Sequence, residues 1–340
     1  KKINNFKNEN INVKFTNDKT PGIYSFLDLL IIFIWVNLFF TYCLILSIFG
    51  RWQLPLMFHE IYNAKKTQIA KKKYLYKKYF CPHAPFPYKP LWLAIIEERK
   101  IDVIQYFYSI SNESYETDEK IYKFKQYFNL LNFKHYYAWN SDHANFLKKM
   151  SLIKNPKIEI TSPISYKTHD EEFELNNDSI IIFDVEPHKY IESMKYRAPF
   201  YGDIMNILWS DATIQFLDDI IQVNKTSKYS LYLKRKRSLT SDYNYLKDKK
   251  YTAYLSRINK LQNFNELNPS FDPSQIFDKN KKIKLVICLP FTSVAFVAKY
   301  LNIPVIFYDP FGKLDMSLFP LGNIPLIKGR KNLNNFIKLL

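Results

Sequence analysis

The sequence predicts an α/β fold with parallel sheets in two units, preceded by an apolar and basic helical region. Three observations carry this. Lys284 to Gly312, KLVICLPFTSVAFVAKYLNIPVIFYDPFG, reads as strand, tight turn, helix and strand. Strand-like apolar runs alternate with helical periods from Asp102 onward, the pattern of βαβ units. The chain has 340 residues, 47% hydrophobic and 17% aromatic. That is enough for two domains and an appendage, each with a core.

From the start, Lys1 to Lys19 is polar and rich in lysine and asparagine. Leu29 to Phe49 then carries no charged residue, only Asn37, Thr41 and Ser47 as interruptions. About 20 apolar residues are what a membrane-spanning helix needs. A buried core helix is the competing reading. The apolar residues lie all round the helix, which favours contact with lipid. Lys65, Lys66, Lys71, Lys72, Lys73, Lys77 and Lys78 follow, with Tyr62, Tyr74, Tyr76, Tyr79 and Phe80 between and around them. Such a flank suits an anionic cytoplasmic leaflet and puts the body of the chain on that side. Whether the helix spans or lies in the interface stays open. Residues 1–80 are therefore read as a membrane-associating region. Cys81 to Pro90, with Pro82, Pro85, Pro87 and Pro90, is a stiff connector.

Residues 81–175 read as an N-terminal α/β unit. Asp102–Tyr108 is a strand, Ser109–Asp118 a polar loop and Glu119–Leu131 a helix. Lys134–Trp139 and Lys157–Ile160 are strands. Ser141 is expected to cap the intervening helix through Met150, with Asp142 in its first turn.

Residues 176–340 read as a second α/β unit. Ser179–Val185 is a buried strand ending in Asp184-Val185-Glu186-Pro187-His188. Polar groups at a strand's carboxyl end, Asp184 and Glu186 here, are where ligands gather in open α/β sheets. Asp211 starts a helix with Ile214, Leu217 and Ile221 on one face. Tyr229–Leu233 is a strand ending in Lys234-Arg235-Lys236-Arg237. These cations either converge on a phosphate or form an exposed basic loop. Tyr243–Leu261 is helical and Asn263–Asp278 irregular. Lys284–Leu289 is a strand, and Thr292 or Ser293 caps the next helix, whose apolar face is Val294, Val297, Ala298 and Leu301. Either those hydroxyls only cap, or they also meet a phosphate at the helix start. Asn302 closes that helix in the left-handed region. Val305–Tyr308 is a strand and Asp309–Gly312 a turn. Lys331–Leu340 is a last helix that returns toward the other domain.

Composition narrows the partners. Lysine plus arginine exceed aspartate plus glutamate by 49 to 32, a net +17. Lipid headgroups, a nucleotide or an acidic polymer fit that sign. Nucleic acid fits it too, but no zinc-finger spacing or RNP-like motif is present, so none is read as a partner. With six glycines and no G-x-x-x-x-G-K-[ST] or G-x-G-x-x-G, no glycine-rich phosphate loop and no cofactor are expected. Cys43, Cys81 and Cys288 are scattered and odd in number, which fits reduced thiols and the cytosol. Cys81-Pro82-His83 has no second pair to complete a metal site, and none is expected.

Pro290-Phe291-Thr292-Ser293, with its alanine-bearing helix, Ile303-Pro304 and Tyr308-Asp309-Pro310, resembles the bacterial polysaccharide-biosynthesis family named for a PFTS motif. Tyr108-Ser109 with Asn112, and Trp139-Asn140 with Phe146-Leu147, are similar to the N-terminal half of that family. The resemblance is clearest from about Asp102 to Gly322. It implies two Rossmann-like, GT-B-like units facing a cleft and a glycosyltransferase of capsule, lipopolysaccharide or exopolysaccharide assembly. It implies a nucleotide-sugar donor held by Thr292, Ser293, Lys234, Arg235, Arg237 and Asp309, and a lipid-linked or polysaccharide acceptor. Asp142, His143 and Glu186 are the candidates for catalytic base. No Asp-x-Asp is present, so a metal-bound donor is not indicated. A polyol-phosphate polymerase of the teichoic-acid type is an alternative, as is a non-catalytic scaffold for lipid-linked glycan. The place implied is the cytoplasmic face of the bacterial inner membrane, peripheral or single-pass.

Overall fold

The computed structural model describes residues 21, 25–83, 88–107, 109, 115–116, 121–122, 131–163, 175, 177–184, 187, 210–227, 229–236, 248–278, 282–290, 292–312 and 323–340. The chain divides into two compact units, residues 1–105 with 132–135, and residues 106–131 with 136–340.

The first unit begins with α1, Phe26–Ile48. Ser25 caps it, its Oγ accepting the Asp28 N–H at 3.1 Å. The helix is long and apolar enough to cross a membrane, with a mean hydropathy of 2.5. Only Asp28, Ile32 and Cys43 of it are buried, so it is not the core helix that the competing reading required. Helices α2 (Gln53–Leu56) and α3 (Phe58–Ile69) follow, then a 3-10 turn at Lys72–Tyr74 and strand β1 at Lys78–Pro82. Helix α4 (Leu91–Glu98) packs on α3 and buries Trp92, Leu93 and Ile96. Arg99 fixes the end of α3, its Nη1 donating to the Thr67 and Ala70 carbonyls at 3.0 and 2.6 Å. Beside it lies a buried ion pair, Lys89 to Glu97 at 2.7 Å. Burial and the Glu97 charge push the Cys81 thiol up to about 12, so this cysteine is an inert core residue.

Strand β2 is Asp102–Tyr106. Tyr115–Glu116 (β3) pairs antiparallel with Ile121–Tyr122 (β4). This corrects the expected loop to Asp118 and the expected helix at its start. Strand β5 is His135–Ala138 and β6 is Lys157–Ile160, with helix α5, Ser141–Met150, between them. The cap of α5 is Asn140, not Ser141: Asn140 Oδ1 accepts the His143 N–H at 2.8 Å. A side chain one residue earlier reaches that N–H from an extended backbone (φ −155°, ψ 178°). Together β1, β2, β5 and β6 make a sheet in the order β1-β2-β5-β6.

The second half is built on strands β7 (Ser179–Phe183), β8 (Ser230–Lys234), β9 (Phe264–Leu267), β10 (Ile283–Cys288), β11 (Val305–Asp309) and β12 (Leu326–Lys328). They form one sheet in the order β12-β11-β10-β7-β8-β9, parallel at every pairing. Two edge strands, β9 and β12, add to those that the sequence pattern predicts. β9 lies in the stretch expected to be irregular, together with helix α8 (Pro273–Asp278), and β12 precedes the last helix. The remaining helices are α6 (Ser210–Ser227), α7 (Lys249–Ile258), α9 (Val294–Tyr300) and α10 (Gly329–Ile337).

Strand side chains alternate between the two faces. One face, with Ile180, Ile182, Leu231, Leu233, Leu285, Ile287, Ile306 and Tyr308, packs on α6, α7 and α10 through Phe216, Leu217, Tyr254, Leu255, Leu333 and Ile337. Helix α10 packs on its own sheet through Leu333 and Ile337. The opposite face meets α8 and α9, with Phe183 on Phe277 and Phe296 on Phe307 at 5.8 and 6.0 Å between rings. The buried side of α9 is Ala295, Phe296 and Ala298. That corrects the expected stripe: Val294, Val297 and Leu301 are only half-buried. Asn302 closes α9 with φ 58°, as its side chain permits.

Candidate functional site

Strand β7 comes first in the chain among these six and lies at the centre of the sheet. The chain then builds outward through β8 and β9, and returns to the other side for β10, β11 and β12. The order reverses between β7 and β10. At such a switch point two neighbouring connections leave in opposite directions and open a crevice at the carboxyl ends of the strands. Asp184 follows β7 there, and Leu289, Pro290, Thr292 and Ser293 follow β10. The Leu289 N–H donates to the Phe183 carbonyl at 3.3 Å, which joins the two ends.

Neither hydroxyl of the turn caps α9. Ser293 occupies the cap position in a helical conformation (φ −61°, ψ −21°) and makes no side-chain cap bond. Its Oγ instead lies 2.5 Å from the Ser109 Oγ. The helix starts on backbone bonds, Ala295 N–H to the Thr292 carbonyl and Phe296 N–H to the Ser293 carbonyl, both 3.1 Å. Thr292 Oγ1 is buried and has no hydrogen-bond partner among the described residues.

The basic stretch after β8 is partly turned inward. Lys234 is buried and donates to the Pro269 carbonyl at 2.9 Å. Burial lowers its pKa, opposed by Asp184 and Asp272. Arg235 is buried and ion-paired with Glu266 of β9. Lys236 is exposed, and its N–H donates to Asp184 Oδ1 at 3.0 Å. Arg237 and Glu186 lie outside the described residues.

Asp184 ties this loop to α7. Its Oδ2 accepts the Tyr251 hydroxyl at 2.5 Å. Burial pushes the Asp184 carboxyl up to about 6, although Tyr251, the Lys236 N–H, Arg235 and Lys234 all favour the charged form. Burial beside that carboxylate pushes the Tyr251 phenol well up, so it stays a donor. Asp309, buried at the end of β11, accepts the Phe311 N–H at 3.0 Å and shapes the turn to Gly312.

His143 is buried against the Phe107 ring, with centroids 4.8 Å apart. Its Nδ1 accepts the Trp139 N–H at 3.3 Å, so in the neutral ring Nε2 carries the proton. Asp142 is half-buried in the first turn of α5. Sequence reasoning passed over Tyr251 and Glu266 and gave Ser109 no role at the turn. Ser109 carried one signal, its place in the Tyr108-Ser109 phrase; the other two carried none, because their partners are 67 and 31 residues away. Among the described residues, no three His, Cys, Asp or Glu side chains gather as a metal site.

The fold is similar at low identity to solved structures. A UDP-GlcNAc 2-epimerase from Methanocaldococcus jannaschii, in complex with UDP-GlcNAc and UDP, aligns at 10% identity and a TM-score of 0.45, over 82% of this chain and 74% of that one. TarM aligns at 12% identity and 0.43, over 82% of this chain and 51% of its own length. A trehalose-6-phosphate synthase aligns at 11% and 0.42, over 85% and 69%. The comparison with curated proteins gives no match. Residues 40–337, which include the whole six-stranded sheet and its turn, match the model of one family. The chain belongs to the polysaccharide biosynthesis PFTS motif proteins.

Proposed function

We propose that this chain is a membrane-associated glycosyltransferase that moves a sugar from a nucleotide-sugar donor to a lipid-linked or polysaccharide acceptor. Membership of a polysaccharide biosynthesis family supports the acceptor class. The donor site rests on one observation: the buried, unpartnered Thr292 Oγ1 at the switch point of the parallel sheet. An unsatisfied buried hydroxyl costs about 1–3 kcal/mol. A donor phosphate oxygen would accept its hydrogen and remove that cost. Ser293, with Ser109, offers further hydroxyls beside it, Lys234 and Arg235 supply positive charge at the end of β8, and the reading assigns Arg237 to the same donor. In this reading residues 176–340 take the donor and residues 81–175 the acceptor. Fixed donors and cations, rather than a metal, stabilise the departing phosphate. Asp309 orients the turn beside the donor. Of the candidates for base, Asp142 and Glu186 stand ahead of His143, whose Nδ1 already accepts the Trp139 N–H.

The test is nucleotide release by the full chain in detergent, with a panel of nucleotide sugars and a lipid-extract acceptor, for wild type and Thr292→Val. Release with one donor, and a tenfold or larger loss of donor affinity in the variant, is the expected result. A well-folded chain that binds no nucleotide sugar would turn the assignment to a glycan-holding scaffold.

A further inference from the structure

Helix α1 is apolar on every side, yet it is not covered equally. Its buried and half-buried positions are Asp28, Ile32, Trp35, Val36, Phe39, Cys43 and Leu46, one stripe at helical spacing. The others are exposed, among them Phe26 at 80%, Phe33 at 65%, Leu38 at 68% and Ile48 at 83%. Phe39 stacks on Phe58, the first residue of α3, at 5.8 Å.

That contact limits how the helix can meet a bilayer. Phe39 lies only two residues past the middle of α1, about 3 Å along its axis. A crossing α1, centred in the hydrocarbon, would carry Phe58 close to the midplane. His59 and Glu60 come next in the chain. The Glu60 carboxylate accepts the Leu91 N–H at 3.2 Å, which brings the start of α4 and, two residues before it, the Lys89–Glu97 pair. Charged groups deep in hydrocarbon are strongly disfavoured. A helix lying in one leaflet meets no such conflict, because its covered stripe stays on protein and its bare face enters the acyl chains.

The next segment supplies the complementary charge. Lys71, Lys72, Lys73, Lys77 and Lys78 are exposed, and no acidic residue lies between Glu60 and Glu97. Arg99 holds the end of α3, from which they emerge.

We propose that α1 is a single-leaflet anchor, its bare face embedded in an anionic bilayer whose headgroups the Lys71–Lys78 segment contacts. This goes beyond the enzymatic reading and stands without it.

The first test is topology in inverted inner-membrane vesicles, using the full chain with Lys14→Cys or Lys73→Cys. The native cysteines Cys43, Cys81 and Cys288 are buried and give a low background. A membrane-impermeant maleimide should label both variants from outside. Protection of one position would show a crossing helix and overturn the proposal. The second test is flotation of purified full chain with vesicles of phosphatidylcholine alone or with about 30% phosphatidylglycerol, whose anionic headgroups attract basic segments. Replacing the five lysines by glutamine should cut binding tenfold or more on the anionic vesicles and leave the neutral ones unchanged. Failure of the wild type to float, or equal binding to both vesicles, would overturn it. Phe33→Asp should reduce binding to both without lowering Tm; a lower Tm with unchanged binding would mean that protein covers this face.

Discussion

Asp184 and Thr292 are both placed at some cost in stability. Asp184 is 4% exposed, and its carboxyl is raised from 3.8 to about 6. The protonated form is thus favoured by folding. The stability this lends is full below about pH 4 and is lost as pH rises through about 6. Asp184→Asn should remove that decline, read as a flatter pH dependence of the urea midpoint between pH 4 and 6 than in wild type. At Thr292, valine keeps the shape and deletes the unpartnered hydroxyl. The ligand-free variant should gain about 1 kcal/mol, or roughly 2 °C in Tm. Loss of donor affinity with gain of stability would mark a binding residue; loss of both would mark a structural one.

At the scale of elements, α9 joins β10 to β11 in seven residues and depends on how it stops. Asn302 holds φ 58°, and the Ile303 N–H then returns to the Ala298 carbonyl at 2.9 Å. A β-branched residue in that region is strained by about 1–2 kcal/mol. Asn302→Val should lower the unfolding free energy by that amount, read as a lower urea midpoint, and Asn302→Gly should leave the midpoint level or raise it. Periodicity located α9 but misjudged its buried side. In so short a helix the neighbouring ring, Phe307 of β11, decides which residues turn inward, and Phe296 is the one that meets it.

For the whole molecule, the principal core joins α6, α7 and α10 to one face of the six-stranded sheet. Leu333 of α10 is fully buried there. Leu333→Ala should cost about 2–5 kcal/mol, measured by chemical denaturation. An end segment that merely draped over the fold would show almost no change.

Much of the site was legible from local pattern. The strand–turn–helix–strand order around Thr292 and Ser293, the buried run before Asp184 and the left-handed Asn302 follow from side-chain shape and capping chemistry, which act within a few residues. The edge strands β9 and β12 were not legible, because FNEL and LIK become strands only by pairing with β8 and β11. The reversal between β7 and β10 could not be read either, because strand order is set by pairing across the sheet and not by local pattern. Nor could the inward turn of Lys234 and Arg235, since Pro269 and Glu266 sit on a segment whose place was unknown. The sequence by itself determined the α/β class, the apolar and basic start and the residues of the turn. Only the tertiary structure decided which hydroxyl is left without a partner, because the Ser293–Ser109 contact spans 184 residues and no local preference acts over that distance.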